Sequence, residues 1–290
     1  LSTFLGAFVF SMIGIIGLNT GAYGNSGRII LFAATVVIIL LVVGTLLRWI
    51  GHITAFGRMA DVIDRVEDAA TSAMTDFAAQ PHLCGRPAVA VPATATAICT
   101  TQTGYVTHID AEALGRLAEQ QGVSLHVAAL PGAMMHPARP LLHVVGEVDD
   151  AARKAMTKAF TIERHRRFDQ DPRLGLIALS EIASRALAPA TNDPGTGVEV
   201  LNALLRVFLT LRPEATPRKE DARTYPVHIG LPSMDDMLTD AFGPIVRDGS
   251  VEIEVSLRLT NTLWAIHAAL PEARAAIARW AAAPAPVAVS

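Results

Sequence analysis

Residues 29–50 read IILFAATVVIILLVVGTLLRWI, an apolar run in which Arg48 is the only charged side chain. A helix of about 22 residues is long enough to cross a bilayer, whose hydrocarbon core needs about 20. Trp49 follows Arg48, and His52 comes one helical turn later. An indole ring and a long guanidinium side chain can both reach the membrane–water interface. The run therefore predicts a transmembrane helix with Arg48, Trp49 and His52 at the membrane interface.

A second apolar run lies just before it, at residues 4–18, and reads FLGAFVFSMIGIIGL. It is short for a complete crossing, so we expect the start of this helix to lie before Leu1. A signal peptide is the alternative, but no basic residue precedes the run and another apolar run follows closely. A glycine-rich polar turn, NTGAYGNSGR, joins the two runs. The pair predicts a transmembrane helical hairpin that forms a first domain, residues 1–53.

The distribution of arginine predicts the orientation of this hairpin. Arg48, Arg58 and Arg65 lie at or beyond the end of the second run, whereas the turn offers only Arg28. Because basic residues near the ends of spans favour the cytoplasmic side, the turn is predicted to lie outside. We therefore expect a multi-pass protein with the lipid bilayer as a partner and a C-terminal domain in the cytoplasm.

Composition excludes several classes of function. The chain is 51% hydrophobic and 18% charged, with a net charge of -3, so it lacks the basic balance that a nucleic-acid partner favours. Cys84, Cys99 and the histidines lack the spacing of a zinc site. No phosphate-binding loop, nucleophile elbow or dinucleotide-binding motif occurs. No catalytic residue, metal site or cofactor is therefore assigned.

Residues 54–80 predict an amphipathic helix that connects the hairpin to the soluble part. Its apolar positions recur at alternating steps of three and four, at Phe56, Met59, Ile63, Val66, Ala70, Ala73 and Phe77. A 3.5-residue repeat of this kind is what the seam of a coiled coil needs. The same stripe would serve equally to pack the helix on its own domain. Self-association and internal packing therefore both remain open.

Residues 81–148 predict a small mixed α/β unit. Strands are expected at GYVTHI, VSLHVAAL and LLHVVGEV, with a short helix between the first two. Asp110 stands where it can cap that helix. His126 and His143 fall on neighbouring predicted strands and can face each other.

The remainder of the chain predicts a helical domain, residues 149–283, with a flexible tail at residues 284–290. Amphipathic stretches separated by Pro- and Asn-containing turns give several helices, and residues 212–230 read as a polar, proline-bearing loop. The predicted fold class is a membrane α-helical hairpin plus an α+β cytoplasmic domain, in which the small mixed α/β unit is followed by a helical bundle.

Polar residues concentrate at both ends of one apolar helix, LGLIALSEIASRAL. We expect this helix to be largely buried, which makes Glu181 and Arg185 costly unless they are paired. Arg185 can pair with Glu181, or it can reach Asp171 or Asp193 at the helix ends. One interpretation is a satisfied structural network in which Asp193 starts the next helix. The other is a ligand- or ion-binding cluster made of Arg166, Arg167, Gln170, Asp171, Arg185, Asn192, Asp193 and Thr196.

Several of these residues carry a resemblance that extends over nearly the whole chain. The residues concerned are His52-Ile53 after the hairpin, GYVTHID at residues 104–110, Pro131-Gly132, Pro140-Leu141, an arginine (Arg166 or Arg167) before Gln170-Asp171, RALAP at residues 185–189 and NDPGT at residues 192–196. In these features the chain resembles the bacterial predicted membrane protein family named domain of unknown function 2254. The resemblance implies a location in the bacterial inner membrane and further transmembrane helices before Leu1. It implies no activity.

Three hypotheses of function follow. The first is a homo-oligomeric channel or transporter whose cytoplasmic domain responds to an ion, to pH or to a small ligand. The second is a membrane-anchored enzyme that uses Asp171, Glu181, Asp193 and a histidine as acid–base groups. The third is a non-catalytic membrane scaffold.

Overall fold

The computed structural model describes residues 2–21, 24–56, 59–216 and 224–282. The chain divides into two compact units, Leu1–Val62 and Ile63–Ser290. The first unit is helical, and the second combines helices with two β-sheets. The mixed α/β class predicted from the sequence is therefore confirmed.

The first unit consists mainly of two helices, α1 (Ser2–Asn19) and α2 (Asn25–Phe56). Within α2, Ser26–Leu47 is long and apolar enough to cross a membrane, and none of it is buried. The apolar part of α1, Leu5–Asn19, is shorter than a span. Among the described residues, length and composition thus support one membrane span where the sequence predicted two. The side chains of Arg48, Trp49 and His52 lie outside the part that the structure describes.

The hydroxyl groups of Ser11, Thr35 and Thr45 are satisfied within their own helices. Ser11 Oγ donates to the carbonyl of Ala7 at 2.9 Å, and Thr35 Oγ1 donates to the carbonyl of Leu31 at 2.7 Å. Since lipid offers no hydrogen-bond partner, this local bonding lowers the cost of placing such residues in a bilayer.

Helix α3 (Met59–Ala79) packs into the helical core of the second unit. Ile63, Ala70 and Ala73 of the predicted stripe are buried, and Val66 and Phe77 pack partly buried against the same core. Internal packing is therefore confirmed for this face. From Ile63 onward the stripe cannot also form a coiled-coil seam with another copy, because the protein's own helices already cover it.

The second unit contains eight short strands among its described residues. They are β1 (Arg86–Pro87), β2 (Thr96–Cys99), β3 (Gly104–Ile109), β4 (Ser124–Val127), β5 (Met134–Met135), β6 (Pro140–Val145), β7 (Phe160–Glu163) and β8 (Val227–Ile229). One sheet has the order β1-β8-β4-β6-β2, and the other has the order β5-β3-β7. Strand β8 runs parallel to both β1 and β4, whereas β6 is antiparallel to β4 and β2.

The remaining helices of this unit are α4 (Ala111–Gln121), α5 (Asp150–Lys158), α6 (Pro172–Leu187), α7 (Pro194–Leu209), α8 (Met234–Gly249), α9 (Ile253–Ala269), a 3-10 turn (Pro271–Ala273) and α10 (Arg274–Ala282). Of these, α4 and α5 pack with the strands, and those from α6 onward form a bundle. The predicted cap of α4 is confirmed, since Asp110 Oδ1 accepts from the backbone N–H of Ala113 at 2.8 Å. Ser233 caps α8 in the same way, at 3.0 Å from the N–H of Asp236.

Two strands arise where the sequence predicted only helix and loop. β7 follows α5 directly and pairs with β3, and β8 lies within the stretch predicted as a polar loop. Four- and three-residue strands are too short to show a clear alternation of apolar and polar residues. The sheets therefore draw on residues well beyond position 148.

Two buried apolar clusters stabilise the unit. One lies among α3 and the helices from α6 onward, and it includes the stacked rings of Phe208 and Phe242, whose centroids are 5.7 Å apart. The other lies between the sheets, α4 and α5, and it includes Leu114, Leu125 and Val227. The residues described next lie where segments from these two cores meet.

Candidate functional site

A nearly buried ion pair joins Arg166 to Asp171. Asp171 is only 1% exposed, and its two oxygens accept from Arg166 Nε at 2.7 Å and from Arg166 Nη2 at 2.9 Å. The same carboxylate caps α6, since Oδ1 accepts from the backbone N–H of Arg173 at 3.2 Å. A bidentate guanidinium–carboxylate pair fixes both side chains in one orientation. The pair therefore ties the loop that contains Arg166 to the N-terminus of α6.

Gly132 lies directly against this pair, with φ at 85°. A Cβ atom there would stand 2.4 Å from Asp171 Oδ2 and 2.7 Å from Arg166 Nη2. The positive φ and the close approach both favour glycine. Two sequence features that are far apart in the chain, Pro131-Gly132 and the Arg–Gln–Asp segment, therefore meet at one place.

Gln170 connects the same segment to the end of strand β3. Its Oε1 accepts from the backbone N–H of Ile109 at 2.8 Å, and its Nε2 donates to the Ile109 carbonyl at 3.3 Å. The amide thus pairs with the strand end as another strand would. The GYVTHID strand, the Pro-Gly turn and the Gln-Asp pair form one packed junction.

Beside this junction runs a polar cleft of about 410 Å³, here called the arginine cleft for Arg139, Arg166 and Arg173, which line it. Arg173 Nε donates to Asp240 Oδ2 at 2.6 Å, and this hydrogen bond raises the pKa of Arg173. Arg139 Nη1 donates to the carbonyl of Met134 at 2.9 Å, and no carboxylate of the described residues pairs with it. Ser233, the cap of α8, also lines the cleft.

A second cavity, of about 240 Å³, borders the same loops. It shares Leu130, Pro131 and Pro232 with the arginine cleft. Its lining is mixed, with apolar side chains such as Phe77 and Ile229 and polar ones, namely Asp76, Gln80, Asp169 and Gln170. The junction therefore offers an arginine-rich space next to one of mixed polar and apolar lining.

The other predicted arginines point to solvent. Arg167 pairs with Glu163, with 2.8 Å between Nη2 and Oε1, and its side chain is 60% exposed. Arg185 pairs with Glu181 at 3.6 Å, but these side chains are 81% and 61% exposed. The predicted burial of Glu181 and Arg185 is wrong, because α6 turns this one face outward while its other faces are covered. An exposed pair of this kind contributes little to stability.

Asn192, Asp193 and Thr196 form the start of α7. Asp193 Oδ1 accepts from the backbone N–H of Thr196 at 3.2 Å, and Oδ2 accepts from its hydroxyl at 2.6 Å. These bonds lower the pKa of the exposed Asp193 carboxyl. Asn192 has φ at 46°, which lets the chain turn sharply between the two helices. Here the geometry favours the structural interpretation.

The eight predicted residues are thus not one cluster. Asp171 begins α6 and Arg185 lies in its last turn, and a rise of about 1.5 Å per residue separates them by about 21 Å. Of the alternatives for Arg185, pairing with Glu181 is therefore the one observed, and a contact with Asp171 is excluded. Arg166, Gln170 and Asp171 stay together, and Gly132, Arg139 and Arg173 join them. Sequence reasoning missed those three roles, although Pro131-Gly132 had been singled out as a motif.

The predicted facing of His126 and His143 is confirmed, because they pair in register between β4 and β6. Among the described residues, no group of three or more His, Cys, Asp or Glu side chains is arranged to hold a metal ion.

Replacing Gly132 with alanine will lower the free energy of unfolding by about 2 kcal/mol. The new methyl group has to displace the Arg166–Asp171 pair as well as adopt a positive φ. Gly122→Ala is the matched control, because Gly122 has φ at 66° but open space around the missing Cβ. We expect it to cost about 1 kcal/mol. Urea denaturation followed by circular dichroism checks this, and equal losses would rule out the steric explanation.

Comparison with known proteins agrees with the distribution of these features along the chain. A family model described as Predicted membrane protein (DUF2254) matches residues 1–265. Uncharacterized proteins of Mycobacterium bovis (Mb1321c) and Mycobacterium tuberculosis (Rv1290c) are each 36% identical to this chain over 104 residues. The alignment covers 35% of this chain but only 20% of each relative, so this chain spans a small part of their length. No solved structure matches it. With a family model that extends over most of its length, the chain belongs to the predicted membrane protein family DUF2254.

Proposed function

We propose that this chain is part of an integral membrane protein whose second unit binds a small oxyanion, such as a phosphate, sulfate or carboxylate group, in the arginine cleft. The observation that carries the proposal is the convergence of Arg139, Arg166 and Arg173 on one cleft. Guanidinium groups offer several N–H donors in a planar array that fits such oxygens.

The charge around the cleft supports an anionic ligand. Arg166 uses Nε and Nη2 to bind Asp171, so Nη1 has no partner among the described residues and can donate to a ligand. Arg139 brings a positive charge without a paired carboxylate. Among the residues that line the cleft, Asp236 is the one carboxylate. Asp171 and Asp240 balance Arg166 and Arg173, and Arg173 Nη1 also lies 3.8 Å from Asp236. Among the described cations of the cleft, Arg139 is therefore the one that is open to an anionic ligand.

Two helix ends add to this field. Asp171 and Ser233 are the caps of α6 and α8, so the N-terminal ends of both helices lie at the junction. The partial positive charge of a helix N-terminus favours an anion nearby. The Asp171 carboxylate already occupies the N-terminus of α6. The N-terminus of α8, whose cap Ser233 lines the cleft, therefore remains to attract an anion.

Replacing Arg139 with glutamine will weaken the binding of sulfate about ten-fold, the loss expected from one charge-assisted hydrogen bond. Arg139 is exposed and holds only one backbone carbonyl, so the fold should tolerate the change. Isothermal titration of the full chain in detergent with sodium sulfate measures the effect. The matched control is Arg116→Gln, which removes an exposed arginine paired with Glu112 on α4. Identical affinities for both variants and the wild type would exclude the cleft as the site.

We further propose that the protein is a homo-oligomeric channel or transporter of the bacterial inner membrane, multi-pass, with the second unit in the cytoplasm. The length and apolar character of Ser26–Leu47, the locally satisfied hydroxyls and the excess of arginine after that helix support the membrane part. The covered stripe of α3 lends no support to oligomerisation. Ion flux through reconstituted protein, together with particle symmetry in images, tests this proposal. A monomeric particle without flux would overturn it.

A further inference from the structure

Three histidines form a row across one face of the five-stranded sheet. His126 of β4 pairs in register with His143 of β6 on one side and with His228 of β8 on the other. Residues opposite each other on neighbouring strands project from the same face of a sheet. The rings of His126 and His228 stack, with their centroids 4.7 Å apart and their planes at 18°.

His126 is the most enclosed of the three. It is 5% exposed, and its Nδ1 atom has no hydrogen-bond partner among the described residues. His228 is held by its own Nδ1, which donates to the carbonyl of Pro87 at 2.9 Å. An enclosed imidazole without a partner loses solvation when it becomes charged, so this arrangement favours the neutral ring.

The ionisable groups that act on His126 are themselves basic. His228 and His143 stand beside it, and Arg86 lies beyond His228 in the same row. Helix α4 shares a buried cluster with Leu125, which projects from the opposite face of β4. Met156 of α5 belongs to the same cluster. The helices α4, with Glu112, Arg116 and Glu119, and α5, with Asp150, Arg153, Lys154 and Lys158, therefore pack on the side of the sheet opposite the ring. Burial lowers the pKa of His126, and repulsion by His228 and His143 lowers it further.

Both strands of the stacked pair lead into the arginine cleft. β4 ends at Val127, and Ala128 and Leu130 line the cleft directly after it. β8 ends at Ile229, and Leu231 and Pro232 line the cleft in the same way. A change in the spacing of β4 and β8 would therefore move two walls of the cleft.

We propose that uptake of a proton by the stacked His126–His228 pair loosens the contact between β4 and β8 and thereby weakens oxyanion binding in the arginine cleft at acidic pH. The inference rests on the proposed function and adds its regulation. A charged His126 ring stands 4.7 Å from the ring of His228 and beside His143, and no carboxylate is among the groups that act on His126. The short parallel pairing between the strands, Leu125↔Val227 and His126↔His228, is the contact that we expect to loosen.

The direction of the pH dependence follows from the lowered pKa. An unfolded chain binds the His126 proton as pH falls below its ordinary pKa of 6.5, whereas the folded chain resists it. The stability contributed by the neutral pair is therefore complete above that value and is lost as pH falls through the lowered pKa.

The test is titration of the full chain in detergent with sodium sulfate at about pH 8 and about pH 5, a range in which histidine changes charge but sulfate does not. We expect the wild type to bind sulfate about ten-fold more weakly at the lower pH. His126→Gln, which cannot titrate, should bind with the same affinity at both. His228→Gln is the second variant, since His228 is only half-buried and tolerates replacement more easily. His267→Gln, at an exposed position on α9, should behave as the wild type.

The possible outcomes separate the two proposals. A pH-dependent wild type with flat responses from His126→Gln and His228→Gln supports the switch. Binding that is the same at both pH values, or that weakens equally in these variants and the wild type, overturns the switch and leaves the arginine cleft intact. Sulfate binding at neither pH overturns the proposed function and, with it, the regulation inferred for it.

Discussion

Replacing Asp171 with alanine will lower the free energy of unfolding by about 4 kcal/mol. The change leaves the guanidinium of Arg166, whose side chain is 21% exposed, without the carboxylate that compensates its charge. It also removes the acceptor at the start of α6, which takes the N–H of Arg173. Breaking a buried ion pair by removing one partner is costly because the other charge remains desolvated. Urea denaturation of the full chain in detergent measures the loss.

Asp193→Ala provides the matched control for this prediction. Asp193 caps α7 much as Asp171 caps α6, but it is exposed, and its carboxylate accepts from Thr196 and from the backbone N–H of Gly195 rather than from a charged side chain. Its loss should cost about 1 kcal/mol, the usual value for a cap. If the two variants lose the same stability, Asp171 is merely a cap, and the ion pair contributes nothing. Arg166→Ala combined with Asp171→Ala should then show no coupling.

Gln170 and Asp171 of the junction could be predicted from the sequence because they are neighbours in the chain. Gln170 and Asp171 immediately precede an apolar helix, and the preference of Asp for a helix start marks their position. The cap of α4 at Asp110 was predictable in the same way. Local rules of this kind depend only on neighbours in the chain, so a single sequence contains them.

The rest depended on contacts between distant segments. Nothing in the chain near Arg139 shows that it shares a cleft with Arg166 and Arg173, because the connection passes through the packing of the sheets on α6 and α8. His228 follows His126 by about a hundred residues and meets it only because β8 inserts beside β4. A three-residue strand leaves no periodic pattern from which that insertion could be inferred.

The error at Arg185 has a different origin. The apolar sequence predicts a largely buried helix, and therefore burial of its one charged pair, Glu181 and Arg185 at i and i+4. Small residues such as Gly175, Ala183 and Ala186 allow close packing on the covered faces, which frees the remaining face for solvent. The high content of apolar residues predicts that most of the helix is buried, but it does not predict how many residues face solvent.

The close packing of α6 on α3 leads to a second large effect. A Cβ atom at Gly175 would stand 2.3 Å from Ala70 Cβ and 2.7 Å from Ala70 Cα, and Ala70 is fully buried. Because the obstacle includes backbone, no side chain can turn aside, and one helix has to move. We expect Gly175→Ala to lower the free energy of unfolding by about 3 kcal/mol, although alanine is the better helix former.

Gly197→Ala separates this steric effect from helix propensity. Gly197 is also a buried helical glycine, but its missing Cβ would meet only the Leu187 side chain, at 3.1 Å from Cδ2. A small shift of that side chain can accommodate the methyl group, and the gain in helix propensity of about 1 kcal/mol should offset the strain. The pair is compared by urea denaturation, with Ala70→Gly added to Gly175→Ala as a partial rescue. If Gly175→Ala unfolds at the same urea concentration as the wild type, α3 and α6 do not approach as closely as their backbones indicate, and the assignment of the α3 stripe to internal packing fails with it.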